Sequence, residues 1–279
     1  MMKMPARPDN GNKGTFGRVV IIGGSEHFIG APILCGQAAY RTGCGLVKLV
    51  VPEIVRNCGA WNSLESIWAC DEFASGTLEL RERDAVVIGP GLGTAENIRK
   101  RLYRWLDCLE GKTRGIVLDA DALNLLSLDP NWAQKIPAGC VLTPHPGEMA
   151  RLAGMEIPAI QADRVRIARN YAKQWNQVVL LKGAHSVIAA PDGTYDVLPY
   201  ETAALAVAGS GDVLSGMIAS LMAQGMEPFD AAQLGAALHG EAGSFAGNAY
   251  GHTYSVTAGD ILMCLPAVIG KGTWYGSND

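Results

Sequence analysis

A chain of 279 residues, 48% of them hydrophobic, is long enough to bury a large core without cross-links. Its formal net charge of −4, with Lys and Arg scattered rather than massed, gives no general attraction for nucleic acid, and no apolar run reaches membrane-spanning length. Seven cysteines, an odd number with no Cys-x-x-Cys pair, argue for reduced thiols in a cytoplasm and against a zinc site or a disulfide framework. The polar stretch from Met1 to Gly14, with Pro5 and Pro8, lacks the apolar centre of a signal peptide.

In chain order, Arg18 to Ile22, Leu46 to Val51, Ala85 to Ile88, Gly115 to Leu118, Val141 to Thr143 and Val178 to Leu181 are compact runs rich in Val, Ile and Leu. They lack strict alternation, as strands covered on both faces do. Between them, Pro32 to Thr42, Glu96 to Leu109 and Ala162 to Trp175 fit amphipathic helices. This alternation predicts an α/β protein with a mostly parallel central sheet flanked by helices. Ser186 to Ala190 and Thr194 to Leu198, joined through Pro191-Asp192-Gly193, form a hairpin signal. Gly211 to Lys271 is almost wholly helical, with breaks near Gly225, Pro228 and Gly247 to Thr257. The segments around Trp61, Trp68, Trp105 and Trp175 read as partly buried packing. We expect a flexible segment over 1–12 and one domain over 13–279.

Glycine clusters follow the predicted strands, where open α/β sheets gather ligands. Gly23-Gly24-Ser25 follows the first and Gly89-Pro90-Gly91-Leu92-Gly93 the third. Neither is a dinucleotide-binding fingerprint, so a Rossmann dehydrogenase is rejected. Taken singly, each is a tight turn; several on one sheet edge suggest a lined cleft. Asp119-Ala120-Asp121-Ala122-Leu123-Asn124 ends a strand in two acids, where Asp121 either caps a helix or orients a substrate hydroxyl or metal-bound water. In Thr143-Pro144-His145-Pro146-Gly147-Glu148, His145 is either a substrate contact or an incidental imidazole. Glu148 is either a capping-box residue or a magnesium ligand through water. Lys182 either snorkels at a strand end or meets nucleotide phosphates.

The most informative stretch is Ala208-Gly209-Ser210-Gly211-Asp212-Val213-Leu214-Ser215-Gly216. Val213, Leu214, Met217, Ile218 and Leu221 recur at helical spacing, so the turn opens a helix with a buried apolar stripe. Its first-turn amides and dipole suit a phosphate, and Gly209 and Gly211 permit close approach. Asp212 would repel that phosphate unless it serves as a base toward an attacking hydroxyl; the alternative is a helix cap.

The ordered set comprises Lys13-Gly14-Thr15-Phe16-Gly17-Arg18, Gly23-Gly24-Ser25, Gly30-Ala31-Pro32-Ile33-Leu34, Arg41-Thr42-Gly43-Cys44-Gly45 and Gly89-Pro90-Gly91-Leu92-Gly93. It continues with Asp119 to Asn124, Thr143 to Glu148, Lys182-Gly183 and Gly209-Ser210-Gly211-Asp212. From about Lys13 to near Leu265 it resembles the ADP/ATP-dependent NAD(P)H-hydrate dehydratases. The Gly-x-Gly-Asp alone would indicate only the wider ribokinase-like superfamily. The resemblance implies a ribokinase-like fold and repair of NADHX and NADPHX with ADP or ATP as phosphoryl donor and Mg2+ as cofactor. It implies that Asp212 is catalytic, that Ala31, Gly91, Gly93, His145 and Asp212 contact the hydrate, and that Lys182, Gly183, Ala184, His185, Ser186 and Gly211 contact the nucleotide. Gly209, Ser210 and Gly211 would form the anion hole. It further implies a homotetramer and, as functional partner, an NAD(P)HX epimerase, expected here as a separate protein. A small-molecule kinase and a non-catalytic nucleotide-binding protein are the alternatives.

One run departs from the family. Where its members usually read Pro-Gly-Met-Ala-Thr-Gly-Gly, this chain has Ala203-Ala204-Leu205-Ala206-Val207-Ala208-Gly209, with Val207 in place of a hydroxyl-bearing residue. The expectation is a changed path or a lost hydrogen bond to a ligand, with the Gly211-Asp212 pair intact.

Overall fold

In a computed structural model describing residues 2–109 and 111–272, nine strands form one sheet. The strands are β1 (Arg18–Ile22), β2 (Leu46–Val50), β3 (Ile67–Trp68), β4 (Asp84–Ile88), β5 (Gly115–Leu118), β6 (Val141–Leu142), β7 (Val178–Leu181), β8 (Val187–Ala189) and β9 (Tyr195–Val197). Their order is β3-β2-β1-β4-β5-β6-β7-β8-β9; pairing is parallel from β3 through β7 and antiparallel in the last hairpin. The short edge strand β3 was not legible in the sequence, because two residues, Ile67 and Trp68, carry no periodicity.

Both sheet faces are covered, which is why the strands read as unbroken apolar runs. Val19, Ile21, Val47, Leu49, Val87 and Val117 point into one core with helices α1 (Gly30–Arg41), α9 (Ser210–Ala223), α10 (Pro228–Tyr250) and α11 (Ala258–Lys271). Val20, Ile22, Val86, Ile88, Leu118 and Leu181 point into the other, against α4 (Glu96–Leu109), α5 (Asp121–Leu126), α6 (Pro146–Ala153) and α8 (Arg164–Trp175). Short helices α2 (Glu53–Gly59), α3 (Cys70–Ser75) and α7 (Ile157–Ala162) complete the described set.

The expected apolar stripe of α9 proves to be burial on every side from Val213 to Ala223, because the helix lies between the sheet and its neighbours α1 and α10. Such a helix fixes its own N-terminus firmly, and that end carries Asp212. Trp105 and Trp175 are buried as expected, but Trp61 is 84% exposed in a 3-10 turn outside the sheet edge, which corrects the packing expectation there. Before β1, Met2 is buried and the Arg7 guanidinium donates to the Gly43 carbonyl at 2.6 Å. Residues 273–279 of the expected domain lie outside the described residues.

Candidate active site

The chain passes outward to β2 and β3 and then returns to place β4 on the other side of β1, so the loops after β1 and β4 diverge from a topological switch point. The Gly24 amide donates to the Pro90 carbonyl at 2.8 Å, binding these two loops together. At Gly91 the backbone has φ +62°, and an added Cβ would lie 2.6 Å from Phe28 Cβ and 3.0 Å from Ala31 Cβ. Ala31 and Gly91 are therefore neighbours, although they stand 60 positions apart in the sequence. The Gly93 amide donates to Asp121 Oδ2 at 2.8 Å, and Asn124 donates to the other Asp121 oxygen at 3.2 Å. Asp121 thus fixes the Gly93 turn rather than capping α5.

Further along the same sheet edge, Asp119 follows β5, His145 follows β6 and Lys182 follows β7. The Asp119 carboxylate, 1% exposed, accepts from Lys182 Nζ at 2.7 Å and from Ser215 Oγ at 2.7 Å. Burial works against its charge, but the Lys182 ammonium and hydrogen bonds from Lys182, Ser215 and Thr143 hold it below the ordinary carboxylate range. Lys182 is likewise disfavoured by burial, yet Asp119 and Glu148 hold its pKa above the ordinary value. Its Nζ also lies 3.8 Å from Glu148 Oε2 and 3.4 Å from where a Cβ on Gly211 would stand. A fixed cation therefore sits beneath the first turn of α9.

His145 is the N-cap of α6, its Nδ1 accepting from the Gly147 amide at 3.0 Å, while Glu148 Oε2 accepts from the His145 amide at 2.8 Å. The capping-box reading of Glu148 is thus realised. Burial, with the charges of Lys182 and Arg151, lowers the His145 pKa, and burial raises Glu148 to about 7.

Gly209 is the N-cap of α9 at φ +88°, a left-handed conformation that only glycine adopts without strain. An N-cap without a side chain leaves Asp212, three residues on, no capping box to join, and among the described residues no hydrogen bond occupies its carboxylate. Burial, then repulsion by Asp119, raises Asp212 to about 7 against the opposing pull of Lys182. A carboxylate poised near neutrality and free of internal partners suits a general base.

Beside α9 opens a cavity of about 510 Å3, lined by Lys182, Gly183, Ala184, Ser186, Ser210 and Gly211 among the expected nucleotide and anion residues, and by His145. His185 is not among the lining residues; with φ +52° its ring turns to the Leu198 carbonyl at 3.3 Å and to Glu201 at 3.4 Å. Ala31, Gly91 and Gly93 stand apart from this cavity, at the β1/β4 mouth. The altered lead-in run forms a 3-10 turn, Ala203–Leu205, whose Ala203, Leu205, Ala206 and Val207 give the cavity an apolar wall. Three participants escaped the sequence reading: Ser215, Arg164, which donates to the Leu181 and Lys182 carbonyls at 2.9 and 3.2 Å, and buried His239, 3.0 Å from Ser210 Oγ. Only Ser215, one helical turn from Asp212, carried a usable signal.

Fold and site define a doubly wound α/β protein with a glycine-rich turn at a helix N-terminus, a lysine below it and a buried carboxyl, Asp212, in that helix's first turn. The NAD(P)H-hydrate dehydratase family profile matches residues 19–266, and the chain belongs to that family. It is 42% identical over 282 residues to a bifunctional NAD(P)H-hydrate repair enzyme of Moorella thermoacetica, covering 96% of this chain and 52% of that protein. It is 38% identical to an ADP-dependent (S)-NAD(P)H-hydrate dehydratase of Neisseria meningitidis, covering 92% and 86%. The chain thus spans about half the length of the bifunctional relatives it matches. A Bacillus subtilis ADP/ATP-dependent NAD(P)H-hydrate dehydratase co-crystallised with ATP/Mg2+ superposes with a TM-score of 0.85 at 30% identity, covering 97% of this chain and 95% of that one. The fold is ribokinase-like.

Proposed function

We propose that this protein dehydrates NADHX and NADPHX back to NADH and NADPH, with ADP or ATP as phosphoryl donor. The single observation that carries the reading is Asp212, unpaired and raised to about 7, in the first turn of α9 with Lys182 beneath it. Membership of the family and the ADP dependence named for the Neisseria relative support the substrates.

In this reading the nucleotide lies in the 510 Å3 cavity with its terminal phosphate at Gly209 to Gly211, and the hydrate enters from the β1/β4 mouth past Ala31, Gly91 and Gly93. Asp212 removes the proton of the ring hydroxyl as its oxygen attacks the terminal phosphorus, releasing AMP from ADP or ADP from ATP. The α9 amides and Lys182 stabilise charge developing on the transferred oxygens; an oxyanion donor of this kind contributes about 3–4 kcal/mol where measured in other enzymes. Phosphate, a far better leaving group than hydroxide, is then expelled with help from the ring nitrogen's lone pair, and loss of a neighbouring ring proton restores the dihydropyridine.

The donor set suits Mg2+. Asp119 stays charged against the Lys182 ammonium, and Glu148 and Asp212, each raised to about 7, are only partly ionised near neutrality, so nucleotide phosphates arriving there would bring an excess of negative charge. Glu148, through water, and the phosphates would hold the ion, in keeping with the preference of Mg2+ for few protein ligands. When bound it neutralises charge on the transferring phosphate.

A homotetramer, a cytoplasmic location and an epimerase as functional partner complete the reading. Exposed Trp61, Leu64 and Ile67 near the β3 edge give self-association an apolar surface. Among the described residues no helix is long and apolar enough to cross a membrane.

The test is near-ultraviolet absorbance of purified protein mixed with NADHX and magnesium, adding ADP or ATP separately and assaying free phosphate. Dihydropyridine absorbance appearing with phosphate is expected. Nucleotide consumed without that absorbance would identify a kinase instead, and neither signal a binding protein.

A further inference from the structure

Ser210 opens α9 at the floor of the cavity, and its hydroxyl faces a histidine from α10 that the proposed chemistry leaves unused. Ser210 Oγ lies 3.0 Å from His239 Nε2; both residues are buried, 4% and 7% exposed, and both line the cavity. The Ser210 amide is already directed to the Val207 carbonyl at 3.3 Å. Its hydroxyl, not its amide, is therefore the group it can offer to a ligand.

A hydroxyl carries one proton, so the histidine decides what the cavity sees. If Ser210 donates to His239, only oxygen lone pairs face the ligand, which repels phosphate. If His239 donates through Nε2–H, the Ser210 proton is left for the ligand. Burial lowers the His239 pKa to about 4, so near neutrality the ring carries a single proton. A backbone hydrogen bond at Ser210 works in the opposite sense, favouring ring protonation. Lys182, whose charge also acts on His239, lines this cavity together with the Glu201 carboxylate, and an anion at the first turn of α9 would lie on the Lys182 side.

We infer that His239 is a positioning residue: in its neutral Nε2–H form it donates to Ser210 Oγ and thereby turns the Ser210 hydroxyl into a further donor for a phosphoryl or phosphate oxygen in the anion cradle. Resting on the nucleotide-dependent reading above for its kinetic arm, it stands on its own for its structural arm.

The structural arm is nitrogen-detected NMR of the full chain labelled at histidine. Near neutral pH, His239 should show a protonated-type Nε2 and an unprotonated-type Nδ1; the reverse assignment overturns the inference whatever the protein's substrate. Titration with inorganic phosphate, followed at the Gly211 amide, should weaken about tenfold in both Ser210→Ala and His239→Leu, as expected for a lost hydrogen bond to a charged group. Unchanged phosphate affinity in folded variants also overturns it. In the kinetic arm, His239→Gln, which can place an amide donor near the Nε2 position, should restore most of the kcat lost in His239→Leu. Ser210→Ala with His239→Leu should cost no more than Ser210→Ala alone. Additive losses would mark His239 as a packing residue only. If the dehydratase assay fails while tautomer and phosphate titration hold, the function reading falls and this inference survives.

Discussion

The Lys182 ammonium lies 2.7 Å from Asp119 Oδ1, and the two groups differ in what they can do without each other. Asp119 is 1% exposed, whereas the Lys182 side chain is 19% exposed and has Glu148 at 3.8 Å as a second carboxylate. Lys182→Met leaves a buried carboxylate uncompensated and should lower stability by about 3 kcal/mol. Asp119→Asn keeps an acceptor for Ser215 and leaves the lysine its second partner, so its loss should be clearly smaller. Urea unfolding of both variants checks the order; equal losses would reject the asymmetry.

Asp212→Asn should abolish turnover, by at least about a hundredfold as expected for a lost general base, with the fold retained. Stopped assays with circular dichroism on the same sample test this, and near-normal activity would remove Asp212 from its role.

Because burial raises Asp212 to about 7, the folded protein holds this proton more tightly than the unfolded chain does. Its contribution to stability is greatest below the ordinary carboxylate pKa and is lost as pH rises through about 7. Asp212→Asn should therefore match the wild type in acid and exceed it in stability above neutrality, read from melting temperature against pH. For the active protein, kcat/KM should fall on the acid side with an apparent pKa near 7, where the base becomes protonated.

Gly209 and Gly211 should respond to alanine in opposite ways. At Gly209, φ is +88° and a Cβ would lie 2.7 Å from Leu34 Cδ1, so Gly209→Ala should destabilise by about 1–3 kcal/mol. At Gly211 a Cβ meets only ordinary contacts, Lys182 Nζ at 3.4 Å and Asp119 Oδ2 at 3.8 Å. Gly211→Ala should melt near the wild type yet lose nucleotide-dependent turnover, because the methyl occupies the face over the cradle.

Glu148→Gln keeps an acceptor for the His145 amide and so should preserve α6 and the melting temperature. Magnesium titration of its activity should show a several-fold higher half-saturating concentration, since a neutral amide is a weaker ligand for a hard cation. An unchanged magnesium curve would remove Glu148 from the metal site.

Local chemistry made much of this protein readable along the chain. Apolar runs such as Val178–Leu181 marked strands covered on both faces, and glycine turns after β1 and β4 marked the ligand edge, because burial and φ preferences act on a few consecutive residues. Asp212 was visible as a carboxylate out of place in a phosphate-binding turn. What stayed hidden depends on pairs far apart in sequence. Asp119 meets Lys182 and Ser215 across 63 and 96 residues, and Ser210 meets His239 across 29. The path of the Ala203 to Ala208 run, which gives Ala203, Leu205, Ala206 and Val207 to an apolar cavity wall, was equally illegible. Those partners come together only because the parallel sheet brings its carboxyl ends to one edge and a helix buried on all sides holds its first turn against them. Charge states there follow from burial and distance, which no spacing of residues along the chain encodes.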